Sequence, residues 1–205
     1  MKESKHFIEN IIEEDLSLGV QKKDLKFRFP PEPNGFLHIG HVKAIWINFN
    51  LAQNYSSPVV LRFDDTNPEK EEQKYIDAIK EDVKWLGYTW KEERYASDYF
   101  TQLHSWANTL IKQGLAYVDS QTSDTIADQK GTPIKAGKNS PYRNRPVEEN
   151  TALFSKMTNG TYNEGEHVLR AKIDMASSNM LMRDPVIYRV LKKSHPRTKE
   201  KWKVY

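Results

Sequence analysis

The sequence predicts an α/β fold in which parallel strands are joined by helices, followed by a second segment of α+β character. Three observations predict it. An alternating run over 25–29, Leu-Lys-Phe-Arg-Phe, reads as a short strand, and Val42, Ile45, Trp46 and Phe49 beyond it recur at helical spacing. The run Pro58-Val59-Val60-Leu61-Arg62-Phe63 is apolar enough for an inner parallel strand. After Ala116-Tyr117-Val118 the chain turns polar and loop-rich, then returns to two strand-like runs over 168–174 and 186–191.

The elements follow in order. Phe7, Ile8, Ile11, Ile12 and Leu16 share one face of a helix over 5–18, which Gly19 ends. Residues 25–63 form a strand–helix–strand unit whose crossover should be right-handed. This is the first half of a Rossmann-like arrangement, in which ligands sit at the carboxyl ends of the strands. Thr66 or Asn67 caps the next helix, Pro68 suits its first turn, and Ile76, Ile79, Val83 and Leu86 carry it to Gly87. A further amphipathic helix covers 98–112, closed by Gly114. Residues 119–131 are polar with room for a short helix, and 131–146 read as a functional or disordered loop. A helix over 147–157 turns Val147, Leu153, Phe154 and Met157 inward, and the two last strands pair. The resulting divisions are an N-terminal helix (1–24), the first half of the Rossmann-like domain (25–99) and an inserted segment with a truncated return (100–205).

Composition bounds the function. The 205 residues hold 38% hydrophobic and 29% charged side chains, a soluble globular balance. A net charge of +3 is too small to establish a nucleic-acid partner, so local clustering must carry that inference. There is no cysteine, which excludes disulfides and thiolate zinc sites. No apolar run approaches the roughly 20 residues of a membrane span, and the acidic N-terminal stretch fits neither a secretory signal nor a transit peptide. No membrane association and a cytoplasmic location are expected.

The chemistry concentrates between Arg28 and His41. Pro30, Pro31 and Pro33 with Gly35 forbid regular structure after the strand. His38 and His41, three apart, then share the first turn of a helix, with Gly40 between them. The positive end of the helix and the imidazole N–H groups suit phosphate oxygens and negative charge developing on phosphorus. Asp64 and Asp65 end the adjacent strand, and a carboxylate there suits an ammonium partner. Arg28, between Phe27 and Phe29, reads as an exposed strand residue. Lys135, Lys138, Arg143 and Arg145 punctuate the 131–146 loop, which contains no acid and so offers cations to phosphates.

These residues also carry a resemblance. Phe-Pro-Pro-Glu-Pro-Asn-Gly-Phe-Leu-His-Ile-Gly-His at 29–41 resembles the signature of class I aminoacyl-tRNA synthetases in the glutamine/glutamate branch, and Leu-Arg-Phe-Asp-Asp-Thr-Asn-Pro at 61–68 resembles that branch's second landmark. Gly-Lys-Asn-Ser-Pro-Tyr-Arg at 137–143, Leu-Arg-Ala-Lys-Ile-Asp-Met at 169–175 and Met-Arg-Asp-Pro-Val at 182–186 are similar to the bacterial glutaminyl-tRNA synthetases. The resemblance spans effectively the whole chain.

The resemblance implies a two-step reaction using ATP, with Mg2+, in which glutamine becomes an adenylate and is passed to the 3′ end of tRNA(Gln). It implies that Glu32, Pro33 and Asn34 line the ATP and acceptor-end pocket. His38, Ile39, Gly40, His41, Val42, Lys43 and Ala44 match the ATP-binding helix start, with His38 and His41 catalytic. Asp64 matches the residue for the amino acid's α-amino group, and Arg28 a residue near the glutamine side chain. Residues from about Phe100 match an acceptor-stem-binding insertion, where Pro133, with Ile134 beside it, stands in place of the usual leucine that wedges open the terminal base pair. The parent enzyme is expected to be monomeric, and no dedicated carboxylate cage for a metal is evident.

The family's lysine-containing second ATP loop, the second half of its sheet and its anticodon-binding barrels have no counterpart in the sequence. The chain is therefore expected to be an N-terminal portion, marginally stable and inactive in glutamine activation alone. A glutamate-specific or nondiscriminating relative and a noncatalytic RNA-binding module are the alternatives.

Overall fold

The computed structural model describes residues 5–205, so the first four residues of the expected N-terminal segment lie outside it. The chain divides into two compact units. One comprises the residues up to Asp65 with Lys70–Asp98; the other comprises Thr66–Glu69 with Tyr99–Tyr205.

The first unit contains α1 (Phe7–Ser17), β1 (Phe27–Phe29), α2 (Ile39–Asn54), β2 (Val59–Phe63), α3 (Gln73–Trp85) and β3 (Glu92–Tyr95). The three strands form a parallel sheet in the order β1-β2-β3, with Phe29 beside Leu61 and Phe63 beside Tyr95. Two crossovers of the same hand, each stepping one strand the same way, put both helices on one face. The core agrees: Phe29, Leu61 and Phe63 pack with Ile45, Phe49 and Ala52 of α2 and Ile76, Ile79 and Val83 of α3. Each of these side chains larger than alanine contributes about 1.5–3 kcal/mol. The alternation along β1 leaves Arg28 exposed on the other face, in register with Val60.

Three expectations change here. The helix after Asp65 starts at Gln73, because Asn67 Oδ1 accepts from the Glu69 N–H and Pro68 sits in a turn. Here the asparagine closes its own turn, as its short carboxamide favours, and caps nothing. The strand β3 is an addition that the sequence hid, since Glu92, Glu93 and Arg94 lack apolar alternation. On α1 only Ile12 is buried, packing on Leu51 and Tyr55, while Phe7 and Ile11 are exposed.

The second unit contains α4 (Phe100–Lys112), β4 (Ala116–Asp119), α5 (Ser123–Gln129), α6 (Val147–Thr158), β5 (Val168–Ala171) and β6 (Val186–Arg189). The strands form an antiparallel sheet, β4-β5-β6, so the expected pairing of the last two strands is present. All four residues of β4 are buried, beneath a core built from Ala107, Ile111, Phe154, Met157 and Leu169. Asn150, buried in α6, accepts from the Val118 N–H at 2.8 Å and donates to the Arg145 carbonyl at 2.9 Å. The helix is thus tied to β4 by a polar group whose partners are both supplied.

The basic tail is ordered. Arg189 and Tyr205 exchange backbone hydrogen bonds at 2.9 and 3.0 Å, which lays the chain end beside β6. Between them His195, almost fully buried, accepts from the Arg197 and Thr198 N–H groups through Nδ1 and contacts the rings of Phe100 and Tyr205. Among the described residues, no helix is long and apolar enough to cross a membrane.

Candidate active site and RNA-facing surface

In the first unit, the sheet brings the turn after β1 and the strand end at Asp64 together. Parallel pairing places the carboxyl ends of β1 and β2 side by side. The Asp64 N–H donates to the Pro31 carbonyl at 2.9 Å, and the Glu72 N–H to the Pro33 carbonyl at 3.2 Å. Pro31 and Pro33 are themselves buried, so the turn is anchored rather than draped. Within it Asn34 donates to Glu32 at 2.6 Å, pairing two of the expected pocket residues with each other. Asp64 is about 40% exposed, with Arg62 at 3.6 Å, which leaves one face of its carboxylate to solvent.

The two histidines form a reciprocal helix cap. His38 is the N-cap of α2, and its Nδ1 accepts from the Gly40 N–H at 3.1 Å. The His41 Nδ1 in turn accepts from the His38 N–H at 3.1 Å, and the rings lie 4.1 Å apart. An Nδ1 that accepts carries no proton, so the neutral ring holds its hydrogen on Nε2. The cap therefore fixes both imidazoles as Nε2–H donors. It also consumes the Gly40 N–H, so an anion at this helix start would be met by the imidazoles and the helix dipole more than by free amides. Gly40 has a local reason to be glycine: a Cβ there would lie 2.8 Å from His38 Cε1. Ile39, Lys43 and Ala44 are exposed on the same turn, and Val42 is half-buried. No acidic residue lies between Gly35 and Ala44.

In the second unit, the three downstream motifs meet in one buried polar cluster. Arg170 of β5 is fully buried and donates to Asp119 at 2.8 Å and to the Asp184 carbonyl at 2.7 Å. Asp184, also fully buried, accepts from Arg143 Nε at 2.7 Å, the Ile173 N–H at 2.8 Å and the Tyr117 hydroxyl at 3.1 Å. It does so with φ at +38°, a conformation rare for a residue with a side chain. Gly137 completes the junction: its N–H donates to the Met175 carbonyl at 2.8 Å, where a Cβ would strike the Gln129 carbonyl at 2.8 Å.

Burial alone would raise the Asp184 carboxyl, but Arg143, the Ile173 N–H and the Tyr117 hydroxyl together hold it below its ordinary value of 3.8. A carboxyl lowered on folding contributes stability above its unfolded value, and this is lost as pH falls through the lowered folded one. Acid titration followed by circular dichroism should show a loss of stability beginning below about pH 4. Asp184→Asn, which cannot ionise, should flatten that part of the profile.

The cluster changes the reading of two basic loop residues. Arg143 is held by Asp184, and Arg145 donates to the Val118 carbonyl at 2.6 Å, pairs with Glu149 at 3.0 Å and covers the Tyr142 ring. Both guanidinium groups thus have partners inside the fold. Lys135 and Lys138 are exposed, as are Pro133 and Ile134, the last at 99%. Sequence reasoning missed Arg170, Arg183 and Asp184 as the organising side chains, although each lies within a motif that carried the family resemblance.

A parallel sheet with crossover helices, a histidine-capped helix start and an acidic strand end is the arrangement expected of half a Rossmann-like nucleotide-binding fold. Comparison agrees: the family described as tRNA synthetases class I (E and Q), catalytic domain, matches residues 24–205, and the chain belongs to it. It is 58% identical over 201 residues to a glutamine--tRNA ligase of Nitrosomonas europaea, and 57% identical over 201 residues to one of Haemophilus influenzae. In both cases the alignment covers 98% of this chain and 36% of the relative, so the chain spans about a third of the length of the curated relatives it matches. A crystal structure of a glutamate tRNA ligase from Elizabethkingia meningosepticum shares the fold, with a TM-score of 0.55 at 23% identity over 74% of this chain and 33% of that one.

Proposed function

We propose that the protein supplies an ATP site and an acceptor-stem surface for the ATP-dependent attachment of glutamine to the 3′ end of tRNA(Gln), in the cytoplasm, through a glutaminyl-adenylate. The observation that carries this reading is the reciprocal His38–His41 cap, with Asp64 tied by its backbone bond to Pro31 to the turn that leads into that cap. Its support from kinship is the run of glutamine--tRNA ligases at 54–58% identity.

The residues fit a triphosphate. An acid-free helix start with two fixed N–H donors suits phosphate oxygens. As a glutamine carboxylate oxygen bonds to the α-phosphorus and pyrophosphate departs, Nε2–H groups of His38 and His41 stabilise the charge on the phosphate oxygens. Asp64 accepts from the substrate ammonium, and Arg28 lies toward the glutamine side chain. Glu32, Pro33 and Asn34 line the pocket where the terminal ribose hydroxyl later takes the acyl group and releases AMP. Ile39, Gly40, Val42, Lys43 and Ala44 frame the nucleotide. Mg2+ would arrive with ATP and help neutralise its phosphates.

In the second unit Lys135 and Lys138 meet backbone phosphates, while Arg143 and Arg145 hold the loop from which they project. Ile134, with Pro133, faces the end of the stem. The test is binding of the 205-residue chain to a hairpin copying the acceptor stem, followed across salt concentration. Lys135→Ala and Lys138→Ala should each lower the slope of log affinity against log salt by about one. An unchanged slope in both variants would remove these lysines from the interface.

A further inference from the structure

The turn that carries Ile134 is clasped from beneath by one buried side chain. Thr132 and Lys135 exchange backbone hydrogen bonds at 3.0 and 3.1 Å around Pro133-Ile134. Gly131 enters this hairpin at φ +73°, where a Cβ would lie 2.5 Å from the Lys135 carbonyl. Arg183, 2% exposed, inserts its guanidinium behind it. Arg183 Nη1 lies 2.6 Å from the Lys130 carbonyl and 3.0 Å from those of Thr132 and Lys135, while Nε donates to the Ser177 carbonyl at 2.7 Å. Only a planar, multi-donor cation reaches such a set of carbonyls at once. The neighbouring carboxylate, Asp184, is engaged by Arg143 instead. The arginine's positive charge is thus directed at the backbone of a turn whose tip is the most exposed large apolar side chain of the described residues.

We propose that Arg183 is the positioning residue for strand opening at the acceptor end. It pre-orders the turn so that Ile134 meets the terminal base pair as a rigid apolar surface. The proposal rests on the acceptor-stem reading above. Prising a base pair from its stack requires a side chain that does not yield, and a tip already ordered loses little conformational freedom on contact. A merely structural arginine would alter stability and affinity; a positioning one alters opening at constant binding.

The experiment uses the 205-residue chain and an acceptor-stem hairpin with 2-aminopurine in its terminal pair, reading affinity by anisotropy and opening by fluorescence at saturation. Arg183→Lys should lower the opened fraction about tenfold while affinity changes by less than about threefold, and Ile134→Ala should lower the opened fraction as far. Wild-type opening in Arg183→Lys overturns the proposal. Should Arg183→Lys lose its cooperative thermal transition, Pro133→Gly loosens the same turn from the solvent side. It must then reduce opening at an unchanged melting temperature, and full opening in that variant likewise overturns the proposal. A wild-type chain that binds the hairpin without opening it removes this proposal alone. A chain that does not bind removes the acceptor-stem reading as well.

Discussion

Replacing Arg170 by methionine is expected to destabilise the second unit by about 3–5 kcal/mol, a large part of what a domain of this size possesses. The cost comes from what stays behind. Asp119 is fully buried and takes its charge-bearing partner at 2.8 Å from Arg170, and the Asp184 carbonyl receives the Arg170 Nε–H at 2.7 Å. Methionine matches the volume and supplies neither donor. A carboxylate stranded in the interior and an orphaned carbonyl are then exposed to the full desolvation penalty. If this accounting is right, Arg170→Met combined with Asp119→Leu should recover most of the loss, because an apolar pair leaves no charge uncompensated. Urea unfolding followed by hydrogen exchange of the β5 amides checks both variants. A single substitution costing under about 1 kcal/mol would show that water or rearrangement satisfies Asp119.

The same cluster marks the limit of what the sequence disclosed. Periodicity revealed β1, α2 and β2 because their apolar residues repeat at 2.0 and 3.6 and are buried on a shared face. It could not reveal β3, whose Glu92-Glu93-Arg94 run is held in the sheet by backbone pairing with Val60 to Arg62 rather than by burial of its side chains. It placed the start of α3 too early, because Asn67 and Pro68 serve a helix start and a tight turn equally well. The histidine pair was legible as the start of a helix. That each ring caps the helix through Nδ1, which sets the tautomer, follows only from coordinates. Charge reading alone took Arg143 and Arg145 for phosphate ligands. Their partners, Asp184 and Glu149 among them, lie 41 and 4 residues away. Composition marks a cation as available, and only the fold shows that a carboxylate has already taken it.

Gly40→Ala should separate folding from chemistry at the histidine cap. In an ordinary helix interior this change adds about 0.5–1 kcal/mol of stability. Here the new Cβ would sit 2.8 Å from His38 Cε1 and 3.0 Å from Nδ1, so the ring must swing away and release the Gly40 N–H. The lost cap costs about 1 kcal/mol, leaving the melting temperature nearly unchanged. The Nε2–H of His38 is no longer aimed by the helix, and the loss of one such donor lowers turnover by about a hundredfold. The measurement is glutamine-dependent ATP–pyrophosphate exchange in a Haemophilus influenzae ligase carrying these 205 residues in place of its own. His38→Asn sharpens the result: asparagine caps helices well, so stability should hold, yet it has no Nε2–H and exchange should fall as far. Gly40→Ala exchanging within about twofold of the parent would mean that the His38 ring keeps its place by moving the helix start instead, and that the reciprocal cap does not set the donor. If stability and exchange respond to different nitrogens of the same ring as expected, the two variants together would assign Nδ1 to the fold and Nε2 to the phosphate.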